Sequence, residues 1–318
     1  MDRLLASLRA TAEPTRFRLL ALAASGAFCV SEYCEILGQS QPRVSRHLKL
    51  LCDAGLLERS REGPNVWFTV PEDEAGAIAR ALVALLSSDD PILAADRRQA
   101  ARVLSERARI ASDSLKRRRA DWDEMRALGL PADLIETSVL ALLPAKFDRL
   151  LDIGTGTGRL LELLAPRARS ALGIDASAAM LALARARLAR AELPHCTVRQ
   201  GDMYRLPIVA GCMDLAVLQM VLHYAEDPQA VLAEAARVLR PGGLLLVIDL
   251  AAHSRDDLTR SFAHRWPGFS PDAMHRLLVG AGAEPGLMHT IPGSLTVCLW
   301  PARRLADASA AQLHQLTA

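Results

Sequence analysis

The segment Leu151-Asp152-Ile153-Gly154-Thr155-Gly156-Thr157-Gly158 puts an acid at the end of a buried-strand pattern and alternating glycines in the turn to an apolar helix. Glycines at such a turn let the backbone approach a ligand closely. In a dinucleotide-binding fingerprint the third glycine falls where this chain has Arg159, and the ligand is a pyrophosphate. Here the third glycine is Gly158, and Asp152 would repel a pyrophosphate while attracting a cationic amino group. The charge logic favours a sulfonium amino acid over a dinucleotide.

Further acids recur at the ends of strand-like runs. Gly173-Ile174-Asp175-Ala176 closes the second run with a carboxylate suited to accepting ribose hydroxyls. Gly201-Asp202-Met203 follows the third, where Asp202 can accept from an adenine amino group and Met203 can pack on the ring. Taken singly, each is an ordinary loop carboxylate. Their repetition beside a glycine turn matters because ligands of open α/β sheets bind at the carboxyl ends of the strands.

With these motifs and the later turn Leu239-Arg240-Pro241-Gly242-Gly243, the stretch from about Leu150 to Trp300 resembles the class I methyltransferases that use S-adenosylmethionine (SAM). The resemblance implies a Rossmann-like α/β domain binding SAM or its product S-adenosylhomocysteine (SAH). Asp152, Gly154, Thr155, Gly156 and Gly158 would then cradle the methionine part, Asp175 and Ala176 the ribose, and Gly201, Asp202 and Met203 the adenine. Gln219 would lie beside the methionine part and the substrate opening. Methyl transfer from a sulfonium needs alignment more than acid–base help, so a missing catalytic motif decides nothing. His223 and Tyr224 are the candidate catalytic residues, and Asp249, His253 and His264 are expected around the same opening. The chain has no Asn-Pro-Pro-Tyr signature, which argues against a nucleic-acid methyltransferase.

A second group of residues points to DNA. From Ser40 to Leu57, the apolar positions Val44, Leu48, Leu51 and Leu56 share one helix face, and the helix stops at Gly55. Ser40 is the expected N-cap with Pro42 just inside, while Gln41, Arg43, Ser45, Arg46 and Lys49 point outward as donors for base edges and phosphates. A charged face alone reads as a solvated one. Here a helix over Val30–Leu37 and a Gly38-Gln39 turn precede it, and a hairpin carrying Arg59 and Arg61 follows.

This segment resembles the ArsR/SmtB family of winged helix-turn-helix repressors, through Pro14-Thr15-Arg16-Phe17-Arg18-Leu19-Leu20, Gln41-Pro42-Arg43-Val44-Ser45-Arg46-His47-Leu48, Gly55-Leu56-Leu57 and Trp67-Phe68. The resemblance implies a homodimer on an imperfect palindrome of double-stranded DNA, released by a ligand. Some members sense metals or arsenite through Cys-Val-Cys. This chain has Cys29-Val30-Ser31-Glu32-Tyr33-Cys34, so Cys29 and Cys34, even with Cys52, make a weak metal candidate, and small core hydrophobes are the favoured reading. The whole chain resembles fusions of the two families, several of which are thought to regulate methionine-cycle genes.

The elements that must position these groups fall into parts. The 318 residues suffice for two cores. Residues 1–71 read as the winged helix-turn-helix and 72–140 as a charged helical linker or dimerisation region with Arg97, Arg98, Arg102, Arg107, Arg109 and a basic run from Lys116 to Arg119. Residues 141–303 read as a mostly parallel sheet with helices, and 304–318 as a flexible tail. The net charge of +2 requires that any DNA-binding surface be local. Leu19 to Val30 reads as a buried helix rather than a signal core, no run is long enough to span a membrane, and the six scattered cysteines suit a reducing cytoplasm.

Three functions compete on these observations. The first is a transcriptional regulator, a repressor, whose methyltransferase domain senses SAM or SAH. The second is an active SAM-dependent small-molecule methyltransferase with an autoregulatory DNA-binding domain, and the third a metal- or arsenite-responsive repressor. The first is preferred because a DNA-reading helix and a cofactor turn are both intact.

Overall fold

The computed structural model describes residues 2–62, 65–71, 73–87, 90–117, 128–255 and 264–306. The N-terminal part runs α1 (Asp2–Thr11), α2 (Pro14–Ser25), β1 (Phe28–Cys29), α3 (Val30–Leu37), α4 (Gln41–Asp53), β2 (Glu58–Glu62) and β3 (Asn65–Thr69). Gly38 ends α3 in the left-handed conformation, φ 63°, and turns the chain into α4. Strand β3 lies between β1 and β2, all antiparallel, so the expected hairpin is present with a short third strand beside it. The Leu19–Val30 run, expected as one buried helix, is helical only to Ser25, where α2 buries Leu19, Leu20, Leu22 and Ala23; Gly26 ends it and Phe28–Cys29 form β1.

Helices α5 (Glu74–Ala84) and α6 (Pro91–Arg117) follow. The region expected to be a linker has no core of its own among the described residues. Ala79 of α5 and Ala100, Val103 and Leu104 of α6 complete the core formed by Leu19, Phe28, Tyr33, Val44 and Leu48. Further on, Ile135 and Val139 of α7 (Ala132–Leu142) join the second core instead. The physical reason is that amphipathic helices bury their apolar stripe on the nearest core rather than stand alone. The basic run through Arg119, and the tail from residue 307, extend outside the described residues.

The C-terminal part comprises β4 (Phe147–Ile153), α8 (Arg159–Leu164), β5 (Ala168–Asp175), α9 (Ala178–Arg190), β6 (Cys196–Gln200), β7 (Met213–Gln219), α10 (Pro228–Val238), β8 (Leu239–Leu250), α11 (Pro271–Gly280), β9 (Ala283–Pro285), β10 (His289–Ile291) and β11 (Val297–Arg304). The sheet order is β10-β11-β8-β7-β4-β5-β6, with β9 pairing on β11. Strands β6, β5, β4, β7 and β8 are parallel, and β11 returns antiparallel. Both faces are buried. Leu150, Leu215, Val217, Leu246 and Ile248 face α7, α8 and α9, while Leu151, Ala216, Leu218, Leu245 and Val247 face α10 and α11. No described helix is long and apolar enough to cross a membrane.

One contact fixes α6 on the helix-turn-helix. Asp96 is held bidentately by Arg18, Nε at 2.7 Å and Nη2 at 2.6 Å, with only 5% of its side chain exposed. Asp96→Ala leaves the partly buried Arg18 charge without its carboxylate partner, and is expected to cost about 1–3 kcal/mol in chemical denaturation. A cost below about 0.5 kcal/mol, typical of a surface change, would contradict this packing.

Candidate cofactor and DNA-binding sites

Adjacent strands bring the sequence-predicted cofactor residues to one edge. Strand order β7-β4-β5-β6 sets Gln219, the turn after Ile153, Asp175 with Ala176, and Gly201-Asp202-Met203 side by side at the carboxyl ends. From β4 the chain runs outward through β5 and β6 and then crosses back to β7 on the other side of β4, which makes this edge the topological switch point where open α/β sheets bind ligands.

The three glycines of the turn do different work. Gly154, Gly156 and Gly158 all have positive φ, at 73°, 53° and 75°. A Cβ on Gly154 would lie 2.3 Å from Val221 Cγ2, and one on Gly158 would lie 3.1 Å from Ala184 Cβ. Those two answer to internal packing. A Cβ on Gly156 meets nothing within 4 Å, so that glycine alone faces open space beside the acids.

The carboxylates are already engaged with the backbone. Asp175 accepts the Gly156 N–H on Oδ2 and the Ser177 N–H on Oδ1, each at 2.8 Å, and so braces the turn against β5. Asp152 is buried and accepts the Thr155 hydroxyl at 2.6 Å. Burial pushes its carboxyl up to about 7; the Thr155 hydrogen bond opposes the shift and the neighbouring Asp175 charge adds to it. Burial also raises Asp175, against the Ser177 and Gly156 N–H bonds. Two desolvated acids at one sheet edge fit a ligand that brings positive charge and do not fit a pyrophosphate. Asp202 is exposed and accepts the Tyr204 N–H at 2.9 Å, while Met203 packs against the core beneath it.

His223 departs from expectation. It is wholly buried, its Nδ1 pairs with Asp249 Oδ1 at 2.7 Å, and its ring lies 4.2 Å from those of Tyr224 and His264. Asp249, also wholly buried, accepts the backbone N–H groups of Leu222, His223 and Leu250 as well. This pair braces the loop after β7, whose Val221 abuts Gly154, and Asp249 does not line an opening. Buried carboxylates need this many donors, and sequence spacing does not reveal them.

On the DNA side, α4 buries Val44, Leu48 and Leu51 and exposes Gln41, Arg43, Arg46 and Lys49, with Ser45 half-buried. Ser40 takes the N-cap backbone conformation, but its side chain makes no capping hydrogen bond. Arg59 and Arg61 are exposed on β2. On either side of them, Glu58 and Glu62 turn to the methyltransferase-like part, a role that sequence reasoning missed. The signal was present in α9, where the Leu181, Ala184, Leu188 spacing puts Arg185 near a buried stripe. Cys29 is buried against Ser31, and burial raises the Cys34 thiol and pushes Cys52 up to about 11, which opposes the thiolate a soft metal needs. Among the described residues no group of three or more His, Cys, Asp or Glu could hold a metal ion.

The raised Asp152 value has a stability consequence. A carboxyl whose folded value lies above its ordinary 3.8 contributes stability below that value and loses it as pH rises through about 7. Asp152→Asn cannot ionise. In denaturation without ligand, the variant-minus-wild-type stability difference is expected to grow by about 2–3 kcal/mol from about pH 5 to about pH 8. A difference that is flat with pH would mean that Asp152 is not desolvated.

Comparison with known proteins agrees with these two surfaces. Residues 13–59 match the family described as bacterial regulatory protein, arsR family, and residues 151–247 match a methyltransferase domain family. Over 94 residues the chain is 43% identical to a 37.1 kDa protein in transposon TN4556 of Streptomyces fradiae, covering 30% of this chain and 26% of that protein. It is 29% identical over 181 residues to a malonyl-acyl-carrier-protein O-methyltransferase of Pectobacterium atrosepticum, covering 54% of this chain and 67% of that one. The chain therefore spans about a quarter to two thirds of these relatives. The chain solved with the Trm112 methyltransferase activator of Haloferax volcanii shares the fold at TM-score 0.51 and 20% identity, over 59% of this chain and 99% of that one. The chain thus joins an ArsR-family helix-turn-helix to a Rossmann-like methyltransferase domain.

Proposed function

We propose that this protein is a cytoplasmic transcriptional repressor that binds double-stranded DNA as a homodimer, and whose affinity for DNA is set by SAM or SAH in its C-terminal domain. The observation that carries the reading is one chain with an exposed cationic recognition helix and, at a separate sheet edge, desolvated acids beside an open glycine turn. Gln41, Arg43, Arg46 and Lys49 supply base and phosphate donors, and Arg59 and Arg61 reach flanking backbone. Leu4, Leu5 and Leu8 of α1, each more than 40% exposed, support a second copy packing on that helix.

At the cofactor edge Asp152 attracts the ligand amino group, Asp175 shares its carboxylate with the ribose, and Asp202 with Met203 takes the adenine. Gln219 borders the methionine end. SAM, when bound, supplies an activated methyl group. An active enzyme acting on a small-molecule acceptor is the second reading, supported by the acids Asp152 and Asp175 held intact at the glycine turn. Production of SAH from SAM with an added acceptor separates it from the first.

Gly156→Ala tests the cofactor site. The added methyl meets no protein atom, and the left-handed backbone costs only about 1–2 kcal/mol, so the fold and binding to the chain's own upstream DNA are expected to survive. Titration calorimetry with SAH should show affinity reduced by at least about tenfold. Unchanged SAH affinity would remove the ligand from this turn.

A further inference from the structure

The DNA-binding hairpin reaches into the cofactor domain. Glu62, the last residue of β2, forms an ion pair with Arg185 of α9, both carboxylate oxygens lying 2.8 Å from Nη2. The two side chains are 4% and 6% exposed. The same Arg185 guanidinium lies 4.0 Å from the ring centroid of Trp67 on β3, and Arg107 of α6 lies 4.9 Å from it while pairing with Glu32 at 2.9 Å. At the outer end of the contact, Glu58 pairs with Arg199.

Glu62 does more than close this contact. Its Oε1 accepts the backbone N–H of Gln200 at 2.9 Å, at the last residue of β6. The Gln200 side chain donates to Ala176 O at 2.8 Å, and the next N–H, of Gly201, donates to Asp175 O at 3.1 Å. Asp202 follows directly. One buried carboxylate of the hairpin is therefore bonded to the residue that links the end of β6 to the loop after β5.

We infer that Glu62, supplied by the DNA-binding hairpin, is a positioning residue for the ribose and adenine end of the cofactor site, so that hairpin placement and cofactor occupancy set each other. Arg59 and Arg61 alternate with it on the same strand, and any shift of Gln200 by a bound nucleoside moves the strand that carries them. By linkage, whatever DNA does to hairpin placement acts back on cofactor affinity by the same factor. The inference rests on the cofactor reading above.

The test uses the full chain with SAH as the probe. Glu62→Gln keeps the side-chain shape and removes the charge, and is expected to weaken SAH by about tenfold in calorimetry. Glu106→Ala, at an exposed position of α6 outside both sites, is expected to leave SAH affinity unchanged. A folded Glu62→Gln that binds SAH within about twofold of wild type overturns the inference while leaving the cofactor reading standing; a wild-type chain that fails to bind SAH overturns both. Hydrogen exchange on the wild type needs no variant and decides the matter if Glu62→Gln fails to fold. Saturating SAH is expected to slow exchange in 58–62 and 65–69 together with 196–202, and a hairpin indifferent to SAH overturns the coupling.

Discussion

A buried charge pair joins the hairpin of the helix-turn-helix to the methyltransferase-like domain, beside the packing of α6 on α9. Taking Glu62 and Arg185 out of water is costly, and the cost is met only where geometry is tight and further donors are present. Here Arg185 also contacts the Trp67 ring and donates to Val198 O at 3.2 Å, while Glu62 also takes the Gln200 N–H. Removing one partner of such a pair typically costs about 3–5 kcal/mol, a penalty that a solvent-exposed pair such as Arg109–Glu106 does not carry. The hairpin is therefore fixed on α9 and β6 far more firmly than surface charges could fix it. Ala189 of α9 packs on the N-terminal core beside it, so the contact has an apolar component as well.

The second constraint is electrostatic and local to the cofactor edge. Asp152 and Asp175 are both raised by burial, the Asp175 charge raises Asp152 further, and Thr155, Gly156 and Ser177 hold the two in place. Such a site is unfavourable without a cation nearby, and that preference selects a cationic amino acid over a phosphate. Hydrogen bonds that shape the pocket thus also set which charge it accepts.

Much of this was legible in the residues themselves. The mostly parallel sheet with helices from β4 onward followed from the residue pattern, and Val30–Leu37 is a helix over the residues its pattern indicated. The edge strands β9 and β10 were not legible, because three residues carry no period. The linker reading missed that Ala79 and Leu104 serve the first core and Val139 the second, since amphipathicity tells that a face is buried and not against what. Three glycines looked equivalent until Val221 and Ala184 accounted for two of them. The His223–Asp249 and Glu62–Arg185 pairs, 26 and 123 residues apart, lay beyond any spacing argument.

The central claim is that one ligand state changes the other surface. Fluorescence anisotropy of the full chain on DNA from its own upstream region, at fixed salt, with and without saturating SAM or SAH, tests it directly. Coupling through the hairpin predicts that at least one ligand shifts DNA affinity by about fivefold or more. Superimposable DNA isotherms, with ligand occupancy verified in the same samples, would contradict it and leave the two domains as neighbours without communication.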